Sequence, residues 1–122
     1  MTSAKMYREH ILDLWRNPMN FGEMQNATHK YKESNPICGD EIELLLEIKN
    51  NFIKNARFKG SGCAISIASA SLLTENIKNK SLIEINKISE NDVIKNLKIP
   101  ISPVRIKCAL LPFHALKKAI FK

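Results

Sequence analysis

Three short stretches of the chain put a thiol where it could do chemistry. The first is Asn35-Pro36-Ile37-Cys38-Gly39-Asp40. Asn-Pro and the following glycine describe a turn leading into a strand, and it offers a thiol and a carboxylate two residues apart. Extended, those side chains share a face; in a turn they can still converge on one ion. The second is Gly60-Ser61-Gly62-Cys63. Two glycines let the backbone fold tightly ahead of a helix, and the positive end of a helix dipole favours the thiolate of Cys63. The third is Arg105-Ile106-Lys107-Cys108, with two cations beside a thiol. They favour the thiolate, as nucleophile or as ligand. A lysine ammonium is a poor ligand at neutral pH, so the expected role of Lys107 is electrostatic. Each stretch alone has a plain structural alternative: a turn ending in an aspartate, a small buried cysteine, a core cysteine on a basic amphipathic helix.

Together, Cys38, Asp40, Cys63 and Cys108 have the composition of a tetrahedral site. Thiolates suit zinc and iron–sulfur chemistry, and a carboxylate can fill the fourth position. An oxygen among three sulfurs is the weakest link, which suits a site that must release its contents. The cysteines are 25 and 45 residues apart. No local C-x-x-C pair exists, so the fold must assemble any shared site. The odd number of cysteines argues against a disulfide framework. His10, His29 and His114 are not expected to be ligands.

The elements that must do this positioning follow from the pattern. Ala4–Arg16 reads as a helix through Met6, Tyr7, Ile11, Leu14 and Trp15, capped by Thr2 or Ser3 and ended by Asn17-Pro18. Trp15 is expected in the core or on a partner-facing side. Asn20–Pro36 is polar and irregular, with weak support for a short strand within Ala27–Glu33. Glu41–Ile48 alternates as a half-buried strand with Ile42, Leu44, Leu46 and Ile48 inward. Asn50-Asn51 is a tight turn, because Asn tolerates positive φ. Phe52–Lys59 returns with Phe52, Ala56 and Phe58 on one side, making a hairpin. Cys63–Lys78 is a helix rich in small residues. Ser89-x-x-Asp92 is a capping box opening a helix to Leu97. Ser102-Pro103 opens the last helix, and Pro112 inside it predicts a kink or restart at Cys108.

At this point the sequence resembles the iron–sulfur cluster assembly scaffold family, the U-type scaffolds that include the amino-terminal domain of the nitrogen-fixation scaffold. The matching stretches are Asn-Pro-Ile-Cys-Gly-Asp (35–40), Gly-Ser-Gly-Cys-Ala-Ile-Ser-Ile-Ala-Ser-Ala-Ser (60–71) and Pro-Val-Arg-Ile-Lys-Cys (103–108), with Tyr7, Ile11 and Asn17-Pro18 in the opening helix. The resemblance implies an α+β fold: a small three-stranded antiparallel sheet with helices packed on it and the metal site at one exposed end. It implies that Cys38, Cys63 and Cys108 are cluster or zinc ligands and sulfur acceptors. Asp40 would be the carboxylate whose loss stabilises bound cluster. Lys107 stands where one branch of the family carries a histidine. Lysine there is typical of a second branch, the zinc-dependent sulfur acceptors, yet the 45-residue spacing leaves no room for that branch's usual insertion. Ile101-Ser102-Pro103-Val104-Arg105 also departs from the Leu-Pro-Pro-Val-Lys of scaffolds served by a dedicated chaperone.

The remaining composition bounds the reading. The 122 residues suggest one domain, 1–122, and 44% hydrophobic with 25% charged residues is an ordinary globular composition, not a disordered one. No apolar run approaches the roughly 20 residues of a membrane span, and no secretory signal is evident, so a cytoplasmic protein is expected. The net charge is +7, with every acid at or before Asp92 and seven bases after it. That basic excess is either a solvated surface or a face for an acidic protein partner. Nucleic acid is not expected, since no nucleic-acid module is present. Three functions follow: a scaffold that receives sulfur from a cysteine desulfurase, holds a transient [2Fe–2S] cluster and passes it to apo iron–sulfur acceptors; a zinc-dependent sulfur acceptor using the same residues; or a zinc-stabilised structural domain. Zn²⁺ is the metal expected in protein as isolated.

Overall fold

The computed structural model describes residues 3–36 and 39–121. Thr2 and Cys38, named above, lie outside the described residues. The elements in chain order are α1 (Ser3–Arg16), β1 (His29–Asn35), β2 (Asp40–Lys49), β3 (Phe52–Ser61), α2 (Ala64–Ile77), α3 (Leu82–Asn86), α4 (Glu90–Asn96) and α5 (Pro103–Phe121). The three strands form one antiparallel sheet in the order β1-β2-β3.

The hairpin β2–β3 turns at Asn50 and Asn51, whose φ values of 54° and 64° are the paired left-handed conformations of a two-residue turn. Ile42, Leu44 and Leu46 are fully buried, as the alternation predicts. Phe52 is not: it is exposed, and Ile53 takes the inward place. The cause is a register shift. Glu47 pairs with Asn55 and Ile48 with Ile53, so Lys54 is an extra residue on β3 and every position before it changes face.

Strand β1, His29–Asn35, overlaps the weakly supported window Ala27–Glu33 and runs past it to Asn35. Its sequence, His-Lys-Tyr-Lys-Glu-Ser-Asn, has one large apolar residue, and only alternate positions are half-buried. Tertiary contact supplies what the pattern lacks: α5 packs on β1, with Lys118 bonded to Glu33 at 2.7 Å and its ammonium over the Tyr31 ring. The outer edge of β3 is covered by two irregular segments. Asn20 and Gly22 exchange backbone hydrogen bonds with Phe58, and Lys80 and Asn79 do so with Ile53. Phe21 meets Phe58 edge to face.

Helices α2 and α5 run through the middle of the molecule. Nine of the residues of α2 are buried, among them Ser66, Ala68, Ser69, Ala70 and Ser71, small enough for close packing against α1 and α5. In α5 every residue from Cys108 to Phe113 is buried, so the helix is enclosed on all sides rather than amphipathic. It runs without interruption through Pro112, so no restart occurs at Cys108. The proline ring is itself fully buried in this packed stretch, which holds the helix together where the ladder lacks an N–H.

Two short helices close the core. The box at Ser89 and Asp92 forms as expected, and an equivalent box at Ser81 and Glu84 opens α3. Trp15 is 46% exposed and therefore not a core residue. Among the described residues, no helix is long and apolar enough to cross a membrane.

Candidate metal centre

Three of the four residues singled out for ligation lie together. One ligand atom each of Asp40, Cys63 and Cys108 lies within 4.8 Å of the others. Asp40 is the first residue of β2, Cys63 is the N-cap of α2, and Cys108 is in the second turn of α5. The site thus sits where the starts of three elements converge. Asp40 is 5% and Cys108 2% exposed, whereas Cys63 is half-buried. A surface cavity of about 300 Å³, lined by Asp40, Cys63, Val104, Arg105 and Cys108, opens above them. Val104 at its rim is 81% exposed.

Glycines make the convergence possible. Gly60 has φ +138°, and a Cβ there would run into the backbone carbonyl oxygen of Glu41 on the neighbouring strand. At Gly62 a Cβ would collide with Ser66 Oγ and stand 3.0 Å from Asp40 Cγ. The Gly60–Gly62 corner therefore lets α2 begin directly against β2.

Asp40 is held from several sides. Burial is the largest single influence and raises its pKa. Hydrogen bonds from Ser66, from Cys108 and from both the amide and the thiol of Cys63 together outweigh it, so the carboxyl ionises below its ordinary range. Ser66 Oγ lies 3.0 Å from Asp40 Oδ2, 3.1 Å from the Cys63 carbonyl oxygen and 3.8 Å from Cys63 Sγ. The Arg105 guanidinium faces the site. Its hydrogen bond to Cys63, then the charge of Cys63, and more weakly that of Cys108 and Asp40, raise its pKa above the usual arginine value.

Lys107 is placed differently. It is exposed and lines a neighbouring cavity with Glu33, Asn35, Pro36 and His114, next to the chain that leads into Cys38. The histidines stay outside the ligand group: His10 is exposed on α1, His29 sits 2.8 Å from Thr28 Oγ1, and His114 lies 3.0 Å from Glu90. Sequence reasoning missed Ser66. Its one visible signal is a hydroxyl three positions after Cys63, where a side chain turns back over the start of a helix.

Comparisons with known proteins identify the family. Residues 6–122 match the family described as NifU-like N terminal domain. The chain is 41% identical over 120 residues to the iron-sulfur cluster assembly protein IscU of Plasmodium falciparum, covering 96% of this chain and 73% of that one. It is 38% identical over 118 residues to the iron-sulfur cluster assembly scaffold protein IscU of Escherichia coli, covering 93% and 91%. A crystal structure from Fervidobacterium islandicum, described as a cluster assembly scaffold for the SUF system, superposes with a TM-score of 0.79 at 31% identity, over 96% of this chain and 98% of that one. The α+β architecture expected from the resemblance, a three-stranded antiparallel sheet carrying helices, is the one observed. The chain belongs to the NifU-like N-terminal domain family.

Proposed function

We propose that this chain is a single-domain scaffold, residues 1–122, on which [2Fe–2S] clusters are assembled and from which they are released. The observation that carries this is the convergence of Asp40, Cys63 and Cys108 beneath an open cavity, in a chain similar over most of its length to proteins named as cluster assembly scaffolds. Cys38, two residues before Asp40, supplies the fourth ligand. The relatives' names favour the scaffold over the zinc-dependent sulfur acceptor. The cluster is cargo.

Sulfur arrives as the persulfide of a cysteine desulfurase. A thiolate among Cys38, Cys63 and Cys108 attacks the outer sulfur, the donor's S–S bond breaks, and the desulfurase leaves as a thiolate while a new S–S bond forms on this chain. Arg105 and Lys107 place positive charge near the attacking thiolates. With no iron at hand, the same S/O donors fit a tetrahedral Zn²⁺, the metal proposed in protein as isolated. The recipients are apo iron–sulfur proteins, and the cytoplasm, where thiols stay reduced, is the proposed compartment.

Anaerobic reconstitution tests the reading. With a cysteine desulfurase, cysteine, ferrous iron and a thiol reductant, the chain is expected to develop the absorption and Mössbauer spectra of a [2Fe–2S] cluster, with zinc displaced. Serine at Cys38, Cys63 or Cys108 should each abolish it. Desulfurase stimulation by the zinc-loaded chain alone, with no cluster under strict anaerobiosis, would overturn the scaffold in favour of the sulfur acceptor.

A further inference from the structure

Among the described residues, Asp40 takes hydrogen bonds from four donors of two kinds. Two are the thiols of Cys63 and Cys108. A cysteine that ligates a metal does so as a thiolate and has no proton left to donate. Those two bonds are therefore lost in the loaded state. The other two, from the Ser66 hydroxyl and the Cys63 amide, do not depend on the thiol protons. Only one of these is a side chain.

We propose that Ser66 is the positioning residue that keeps the Asp40 carboxylate aimed at the metal site once the thiols have given up their protons. This rests on the reading of Asp40, Cys63 and Cys108 as a ligand group. The geometry is specific. Ser66 is fully buried in the third position of α2, so its hydroxyl cannot turn to solvent. Its oxygen lies 3.0 Å from Asp40 Oδ2 and 3.1 Å from the Cys63 carbonyl oxygen. A hydroxyl has one proton to donate. Given to Oδ2, it fixes the rotation of the carboxylate about its Cβ–Cγ bond. Shared with the Cys63 carbonyl, it links the carboxylate to the first turn of the helix that carries a thiol ligand. Gly62 keeps this arrangement open, since any Cβ there would displace the Ser66 hydroxyl. Partners of this kind orient metal ligands, and their loss commonly lowers metal affinity 10- to 100-fold.

Anaerobic Co²⁺ titration of the full chain, read by thiolate-to-cobalt charge-transfer and d–d absorption, tests this in four forms: the native chain, Ser66→Ala, Asp40→Ala and the double variant. Ser66→Ala is expected to weaken Co²⁺ binding about 10-fold or more and to shift the d–d bands, while the charge-transfer bands remain. In the Asp40→Ala background the same substitution should change nothing further, because a residue acting through Asp40 has nothing left to orient. An equal loss in both backgrounds, unchanged affinity in Ser66→Ala alone, or a Ser66→Ala chain whose thermal transition is gone would each assign Ser66 to the fold and overturn the proposal. A native chain that binds no Co²⁺ overturns the ligand group itself, and this proposal with it. Native binding with an unaffected Ser66→Ala overturns only this one.

Discussion

A carboxylate among thiolates is a hard ligand in a soft set, and the more readily exchanged one. Asp40→Ala is expected to prolong the lifetime of bound cluster and slow its transfer to an apo-ferredoxin, with the fold retained; transfer followed by circular dichroism checks this, and unchanged or faster transfer would remove Asp40 from any releasing role. Gly62→Ala tests the same corner from the other side. The added methyl presses on Ser66 Oγ and Asp40, so Zn²⁺ affinity should fall about 10-fold, as for a lost orienting partner, measured by competition with a chromophoric chelator. Much of this corner could be read from residue types: a thiol after two glycines, a carboxylate next to another thiol, cations around the third. What could not be read was direction. Arg105 and Lys107 are two residues apart on one helix, and nothing local says that the first turns to Cys63 while the second lines a different cavity.

Short elements owe their ends to side chains. In both capping boxes, at Ser81–Glu84 and Ser89–Asp92, the acid accepts from the backbone N–H of the serine and ionises below its ordinary range, chiefly because of that bond. A carboxyl whose folded pKa is depressed stabilises the fold above its unfolded pKa, and the contribution fades as pH falls through the folded value. The melting temperature of the native chain should therefore exceed that of Glu84→Gln above the ordinary glutamate value of 4.5. The gap should close as the pH is lowered below it; a gap that persists in acid would assign the effect to something other than the charge. Asn20 ends its segment differently. With φ 62° it donates to Thr74 Oγ1 at 3.1 Å and to Glu75 at 3.2 Å, and accepts from Lys78. Asn20→Ala is expected to cost about 2–3 kcal/mol, from lost hydrogen bonds and left-handed strain together, and Asn20→Gly about 1 kcal/mol less; urea unfolding measures both. The Ser89 box was evident in the sequence and the Ser81 box carries the same signature, but its five-residue helix is too short to show a period. The bulge at Lys54 leaves no mark in the pattern, since an extra residue is visible only against its partner strand.

At the scale of the molecule, the two enclosed helices carry the two described thiols at or near their N-terminal ends, and β2 begins with the carboxylate. A metal held by these three residues would therefore tie the central layer to the sheet. A ligand that binds only the folded chain adds about 2.7 kcal/mol at 100 times its dissociation constant. For a chain of this size that is a rise of about 10 °C in melting temperature. Calorimetry with Zn²⁺ and with excess chelator should show it, and Cys108→Ser should remove most of the difference. The overall architecture was readable where patterns are strong, in the hairpin, the long helices and their caps. The edge strand β1 shows only weakly there, because its stability comes from α5, more than 60 residues later in the chain. The basic C-terminal quarter reads in sequence as one charged surface. Folded, it splits: Lys118 is bound to Glu33 and Lys117 stacks over Phe113 and Phe121, while Arg105 faces Cys63.

Gly60 has a consequence for how this chain can vary. Its backbone lies so close to Glu41 that the smallest possible side chain meets main-chain atoms, which cannot rotate away. No choice of rotamer or polarity helps, and a shift of β3 to make room would carry Gly62 and Cys63 with it. A library of all twenty amino acids at this position, selected for cluster assembly, should return glycine alone, whereas Gly39, with nothing within 4 Å of a built Cβ, should also return asparagine. The two sites would differ because one limit is set by a neighbouring strand and the other only by the dihedral angle of the residue itself.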